Sequence, residues 1–501
     1  MINSKTFFFY DLETSGLNAR FDRIMQFAGQ RTDMNLNPIG EPTNLLIKMT
    51  DDTLPSPEAI ILTGITPQQT VTDGISEAEF AKIFVEEIAT PDTIMVGYNN
   101  IRFDDEFMRH FLWRNFRDPY EWVWVDGRSR WDLLDVVRLV RALRPDGTNW
   151  PFIEENGKKV AANKLELLAK ENGFENQNVH DAWSDVLALI NLAKLLKEKQ
   201  PRMFDYLLKM RSKKEVANLI NLEDPTPFVY ASGRYSSEFE KTTVALAVAP
   251  SSRSSAILVW DLRQSPDDFV DLTEKEILAK LTADYETRCS KDFVPLPVKE
   301  LSLNRCPAIA PLGTLDDAAQ KRLKINLKQV EKNFKDLKKN HGLIDKIVAA
   351  WDSKPEFTLA DDVEGRLYES FTPDVDKPKI RAVAAADKNT LADFNPNFVD
   401  ERLPELLFRY KARNFPKSLS EGEQKKWENW RTEKLARELP SFMKKLSWID
   451  AISRNEIPPN LPEIEQEEFD NLKNRLLIRD STDFLLQEMQ LWAESIMPFV
   501  D

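Results

Sequence analysis

The stretch that most constrains this chain is FFFYDLETSG, Phe7 to Gly16, where four aromatics run straight into two acids placed two residues apart. Such a run reads as a buried strand. Side chains alternate along a strand, so Asp11 and Glu13 emerge together on one face while Leu12 points oppositely, into the core. Gly16 then lets the chain turn sharply away. Two adjacent carboxylates repel each other, and one pKa rises unless a cation holds both ionised. The pair is either a divalent-metal site or a solvated strand end.

At 501 residues the chain is too long for one core, and two or three domains are expected. Strand and helix patterns alternate from Thr6 to about Lys199. Arg23–Asp33, Pro42–Thr50 and Thr93–Asn100 are further strand candidates, Asp181–Gln200 is a long amphipathic helix, and Pro201 closes this α/β half. Between Pro201 and Trp351 the texture changes. Thr242–Pro250 and Ser254–Leu262, separated by a polar break, predict a hairpin in a small antiparallel barrel or sheet. One helical run, Asp316–Asn340, closes that segment; Asp352–Asp362 reads as a connector, and the remainder follows helical periods.

The net charge of −14 argues against coating nucleic acid through global attraction, so any phosphate binding must be local. Basic and aromatic residues cluster in Phe107–Trp131 and Leu207–Val216, as a binding surface or as solvated helix faces. No apolar stretch is long enough to cross a bilayer, and the N-terminus reads as a first strand rather than a signal peptide. Cys289 and Cys306 are the only cysteines, which excludes a disulfide framework and a four-cysteine zinc site and fits a reducing cytoplasm.

Two more groups of acids accompany strand ends or helix starts. Asp104 and Asp105 follow Phe103 after the Thr93–Asn100 strand, as helix-start residues favoured by the dipole or as ligands. His180, one of three histidines, precedes a helix that opens with Asp181 and Asp185. Four residues apart, these two acids share a helix face, with Asp181 suited to the cap and Asp185 to a metal; His180 and Asp185 would lie about 140° apart in a regular helix, so His180 must swing in from the loop.

Taken together, Asp11, Glu13, Asp104, His180 and Asp185 resemble the DEDD exonuclease superfamily in its histidine-containing branch. GYNNIRFDDEFMR, SRWDLLDVVRLVRALRP, HDAWSDV, QPRMFDYL and LLFRYKARNFP (Leu406–Pro416) resemble the bacterial exonuclease I family over nearly the whole chain. The resemblance implies an RNase H-like α/β exonuclease domain (1–200), an SH3-like β-rich domain (201–355) and an α-helical C-terminal domain (356–501). It implies a monomeric cytoplasmic enzyme of DNA repair and recombination that degrades single-stranded DNA from 3′ to 5′, releasing 5′-mononucleotides. Oxygen-only ligands select hard cations, so two Mg²⁺, or Mn²⁺, are expected. Asp11 would bridge both, Glu13 and Asp185 would complete one site, Asp104 would serve the other, and His180 would accept the proton of the attacking water. Glu13 would also lie nearest the terminal nucleotide.

Further substrate contacts implied are Arg109, Tyr120, Trp124, Arg138, Lys164 and Lys213; at Lys164 the family usually carries Arg, so the charge is kept and the bidentate fork lost. The family also binds the acidic C-terminal tail of single-stranded-DNA-binding protein. Arg144 and Tyr206 match the stretches that form that pocket, whereas Pro311 and Asp316 stand where basic or amide residues suit it. The rival readings are an RNA-trimming or proofreading exonuclease of the same superfamily, and a non-catalytic scaffold that kept the fold.

Overall fold

The computed structural model describes residues 5–155, 157–174, 181–253, 255–355, 358, 360–458 and 461–497. Its first sheet is built around β1 (Thr6–Thr14), with β2 (Ile24–Thr32), β3 (Thr43–Leu46), β4 (Thr93–Gly97) and β5 (Ser129–Asp132) in the order β3-β2-β1-β4-β5. β1, β2 and β3 pair antiparallel, while β4 and β5 add in parallel. The central place of β1 follows from its rings. Phe7 and Phe9 pack with the helices Leu133–Leu143 and Ala182–Lys199, and Phe8, Tyr10 and Leu12 pack on the other face with Phe80, Phe107 and Phe111. Each such ring contributes about 2–3 kcal/mol on burial. Gly29 makes room for them: a Cβ there would lie 2.2 Å from the Phe8 ring.

The register explains why the site forms where it does. β1 pairs with β2 from Phe7 to Thr14, but its pairing with β4 stops at Phe9–Val96. Beyond Phe9 that edge of β1 is open. The chain leaving β4 turns through Asn99, with φ of 65°, and begins the helix Asp104–Arg114 beside this edge.

After a short antiparallel pair, β6 (Phe152–Glu155) and β7 (Lys158–Ala161), the second sheet is antiparallel, in the order β11-β10-β9-β8-β12, from β8 (Phe228–Ala231), β9 (Thr242–Pro250), β10 (Ala256–Asp261), β11 (Val298–Ser302) and β12 (Ala308–Pro311). The expected hairpin is β9–β10. Two expectations are corrected. The run Asp316–Asn340 is two helices, Asp317–Arg322 and Leu327–Lys339, because Lys324 takes φ of 54° and Asn326 caps the second by accepting from the Lys328 and Gln329 N–H groups. Pro201 ends one helix but starts another, Pro201–Lys209, since a first-turn residue needs no N–H donor.

The last part is helical, with Leu403–Asn414, the 33-residue helix Glu421–Ser453, Gln466–Arg475 and Thr482–Ile496. Its attachment to the first sheet is partly ionic. Arg413, in the Leu406–Pro416 stretch, reaches Asp52 at 2.9 Å and Glu364 at 2.6 Å; Arg23 reaches the same two acids at 3.6 and 3.0 Å. Burial alone would raise both carboxyls, but the Arg413 and Arg23 charges outweigh it and hold them below the usual range.

Candidate active site

Asp11 and Glu13 continue the face that carries Phe7 and Phe9, one step past the edge of the core. The helix Ala182–Lys199 packs on this face through Ala182, Val186 and Leu189, which delivers Asp185 opposite them. One carboxylate oxygen from each of Asp11, Glu13 and Asp185 lies within 4.8 Å of the others. Asp104 approaches from the open edge of β1, and the Leu12 N–H that β4 leaves unpaired hydrogen-bonds its carboxylate. Four of the five expected catalytic residues therefore converge; His180 lies outside the described residues.

Neighbouring acids have separate duties. Asp105 is fully buried and accepts from Tyr10 Oη at 2.6 Å, Asn100 Nδ2 at 3.1 Å and Arg130 Nη1 at 2.6 Å, so it braces the strand. Asp181 is the cap, accepting from Ser184 N at 3.3 Å and Gln26 Nε2 at 3.2 Å. Burial first, and then the charges of the neighbouring acids, push the carboxyls of Asp11, Glu13 and Asp185 upward; burial also raises Asp104. Four oxygen-bearing acids raised in this way suit a hard divalent cation, which would let all of them ionise.

Glu13 also borders a pocket of about 540 Å³ with Leu12, Leu17, Leu62, Phe103 and Leu477. Leu17, Leu62 and Leu477 are exposed there, forming an apolar wall beside the acids. A second cleft, of about 630 Å³, lies where the three parts of the chain meet; Arg20, Arg102, Arg305 and Arg366 line it with Glu106 and Tyr368. These cations escaped sequence reasoning because they are scattered over more than three hundred positions, and only the fold gathers them.

The other expected contacts are dispersed. Arg109 is 8% exposed, pairs with Glu106 at 2.9 Å and stacks on Tyr120 at 5.6 Å, behind the second cleft. Arg138 is held by Asp135 at 2.5 Å, and Lys213 donates to Ser255 Oγ at 2.6 Å. Lys164 is open to solvent beside Glu166, and Trp124 is 66% exposed. Arg144 Nη1 donates to Thr314 O at 3.0 Å and lies 3.5 Å from Asp316; Tyr206 Oη donates to Ile309 O at 3.1 Å.

Residues 8–193 match the family described as Exonuclease, residues 211–353 the Exonuclease I SH3-like domain, and residues 361–460 the Exonuclease I C-terminal domain. Exodeoxyribonuclease I of Haemophilus influenzae is 38% identical over 444 residues, 88% of this chain and 93% of that protein. Exodeoxyribonuclease I of Escherichia coli K12 is 40% identical over 425 residues, 84% of this chain and 88% of that protein. The zinc-bound crystal structure of the E. coli exonuclease I complex with single-stranded DNA superposes with a TM-score of 0.86 at 36% identity, covering 99% of this chain and 100% of that one. With its three parts matched in order and its relatives covered almost end to end, the chain belongs to the exonuclease I family.

Proposed function

We propose that this chain is a metal-dependent exonuclease that degrades single-stranded DNA from the 3′ end and releases 5′-mononucleotides. The observation that carries the reading is the carboxylate trio Asp11, Glu13 and Asp185, gathered within 4.8 Å at the open end of the central strand. Asp11, Glu13 and Asp185 would hold one ion and Asp11 with Asp104 another, Mg²⁺ or Mn²⁺ by the hardness of the donors. Bound cations supply charge for the attacking and leaving oxygens of an in-line displacement. The apolar wall of Leu17, Leu62 and Leu477 suits the terminal nucleoside, and the arginine cleft suits the phosphates behind it. His180 is assigned the proton of the attacking water, and Arg109, Tyr120, Trp124, Arg138, Lys164 and Lys213 the strand's path.

The three units proposed are 1–200, 201–355 and 356–501, in a monomeric cytoplasmic repair enzyme. Among the described residues no helix is long and apolar enough to cross a membrane. The acidic tail of single-stranded-DNA-binding protein is the proposed partner at Arg144 and Tyr206, where the Asp316 carboxylate already competes for the guanidinium.

End-labelled single-stranded DNA, duplex DNA and RNA, each digested with Mg²⁺, Mn²⁺, Zn²⁺ or EDTA, test the reading. Mononucleotides released from the 3′ end of single-stranded DNA, and stopped by EDTA, are expected. Preference for RNA, or release that EDTA does not affect, overturns it.

A further inference from the structure

A cleft that takes phosphates has no evident use for carboxylates, yet Glu106 and Glu369 stand in the arginine cleft among Arg20, Arg102, Arg305 and Arg366. Glu369 is accounted for locally: one helical turn along the chain, it accepts from Arg366 Nε at 2.5 Å and Nη2 at 2.9 Å. Arg102 is likewise paired inside its own part of the chain, to Asp135 at 3.0 Å. Glu106 differs, because its partners come from the nuclease, middle and C-terminal parts alike.

From the nuclease part, Arg109 Nη1 donates to Glu106 Oε1 at 2.9 Å. From the C-terminal part, the Tyr368 hydroxyl donates to Glu106 Oε2 and itself accepts from Arg109 Nη1 at 3.3 Å. From the middle part, Arg305 Nη2 lies 3.9 Å from Glu106 Oε1, close enough to be attracted but too far to be hydrogen-bonded. The Arg305 side chain is half-exposed, whereas Arg109 is buried behind Glu106. Glu106 itself is carried on the first turn of the helix Asp104–Arg114, and its side chain is 22% exposed.

A carboxylate spreads one negative charge over two oxygens, as a phosphodiester does over its non-bridging pair, and both recruit guanidinium and hydroxyl donors. Donors gathered around Glu106 are therefore gathered for a phosphate as well. We propose that Glu106 is a positioning residue that competes with the strand's phosphates for Arg109, Arg305 and Tyr368. Before the strand enters, it holds these donors around one point; once a phosphate arrives, its like charge weakens the grip and lets the strand advance. This rests on the exonuclease reading above and goes beyond it by giving an acid of the cleft the task of limiting affinity.

The test measures binding of a labelled single-stranded oligothymidylate in EDTA, by fluorescence anisotropy over a salt series, for full-length wild type, Glu106→Gln, Glu106→Ala and Glu106→Asp. Removing the competing charge should tighten binding about five- to twentyfold in both Glu106→Gln and Glu106→Ala, a gain that misfolding does not produce. One cation released to the phosphates should also steepen the plot of log affinity against log salt by about 0.7, while Glu106→Asp keeps the wild-type slope. With Mg²⁺, KM for the oligonucleotide should fall in the two neutral variants and kcat should not rise. Neutral variants whose affinity and KM stay within about twofold of wild type, or whose binding weakens, overturn the proposal, as does an unchanged salt slope. A wild type that neither binds nor degrades single-stranded DNA would instead overturn the exonuclease reading itself.

Discussion

Replacing Asp185 by Asn should make the metal-free protein more stable and the enzyme inactive. Burial first, then the charges of Glu166 and Asp181, push the Asp185 carboxyl from 3.8 up to about 6. A raised carboxyl penalises the folded chain fully above pH 6, and the penalty fades as pH falls toward 3.8. Two decades, at about 1.4 kcal/mol each, give a ceiling of about 3 kcal/mol at pH 7.5. Asp11 and Glu13 share the relief, so a gain of about 1–3 kcal/mol is the working figure, or about 3–10 °C for a domain of some 200 residues. The assay is thermal unfolding in EDTA and again in Mg²⁺ or Mn²⁺, beside nucleotide release. Wild type should gain about 2.7 kcal/mol from a cation at a hundred times its Kd, and Asp185→Asn much less. If Asp185→Asn unfolds below wild type in EDTA, or gains as much from the cation, Asp185 is a structural acid and the site is wrongly assigned.

Arg413→Met leaves Asp52 to Arg23, and Glu364 to Arg23 and Arg409, which should cost about 3 kcal/mol in urea unfolding and expose the C-terminal helices to limited proteolysis. His110, pushed down to about 4 by burial, stays neutral in the folded chain, so stability should fall by up to about 3 kcal/mol between pH 6.5 and 4 as the unfolded chain takes the proton first; His110→Gln should flatten that limb of a pH series. A second loss should follow below about pH 4, where Asp52, Glu77 and Glu364, all held low by arginines in the fold, are protonated first in the unfolded chain. Trp124→Ala should weaken oligonucleotide binding by about 1–3 kcal/mol if the exposed ring stacks a base, with no change in the unfolding midpoint, as read by fluorescence titration.

Local pattern was enough to read β1 and its paired acids, the cap at Asp181 and the place of Asp185 one turn into the same helix, because strand and helix periods are short-range geometry. The same pattern left Asp104 and Asp105 undivided. They diverge because one meets the open edge of β1 and the other meets Tyr10, Asn100 and Arg130, partners far apart in the chain. The break at Lys324 and Asn326 was invisible for a similar reason: helical composition continues through it, and a cap made by one side chain ends the run.

Sequence by itself determined which acids share a face and the order of an α/β part, a β part and a helical part. Only the tertiary structure decided that Arg20, Arg102, Arg305 and Arg366 share one cleft and that Arg413 locks the helices to the sheet. Charges act through space over a few ångströms, whereas the chain carries these groups hundreds of residues apart, so their meeting is a property of the packing alone.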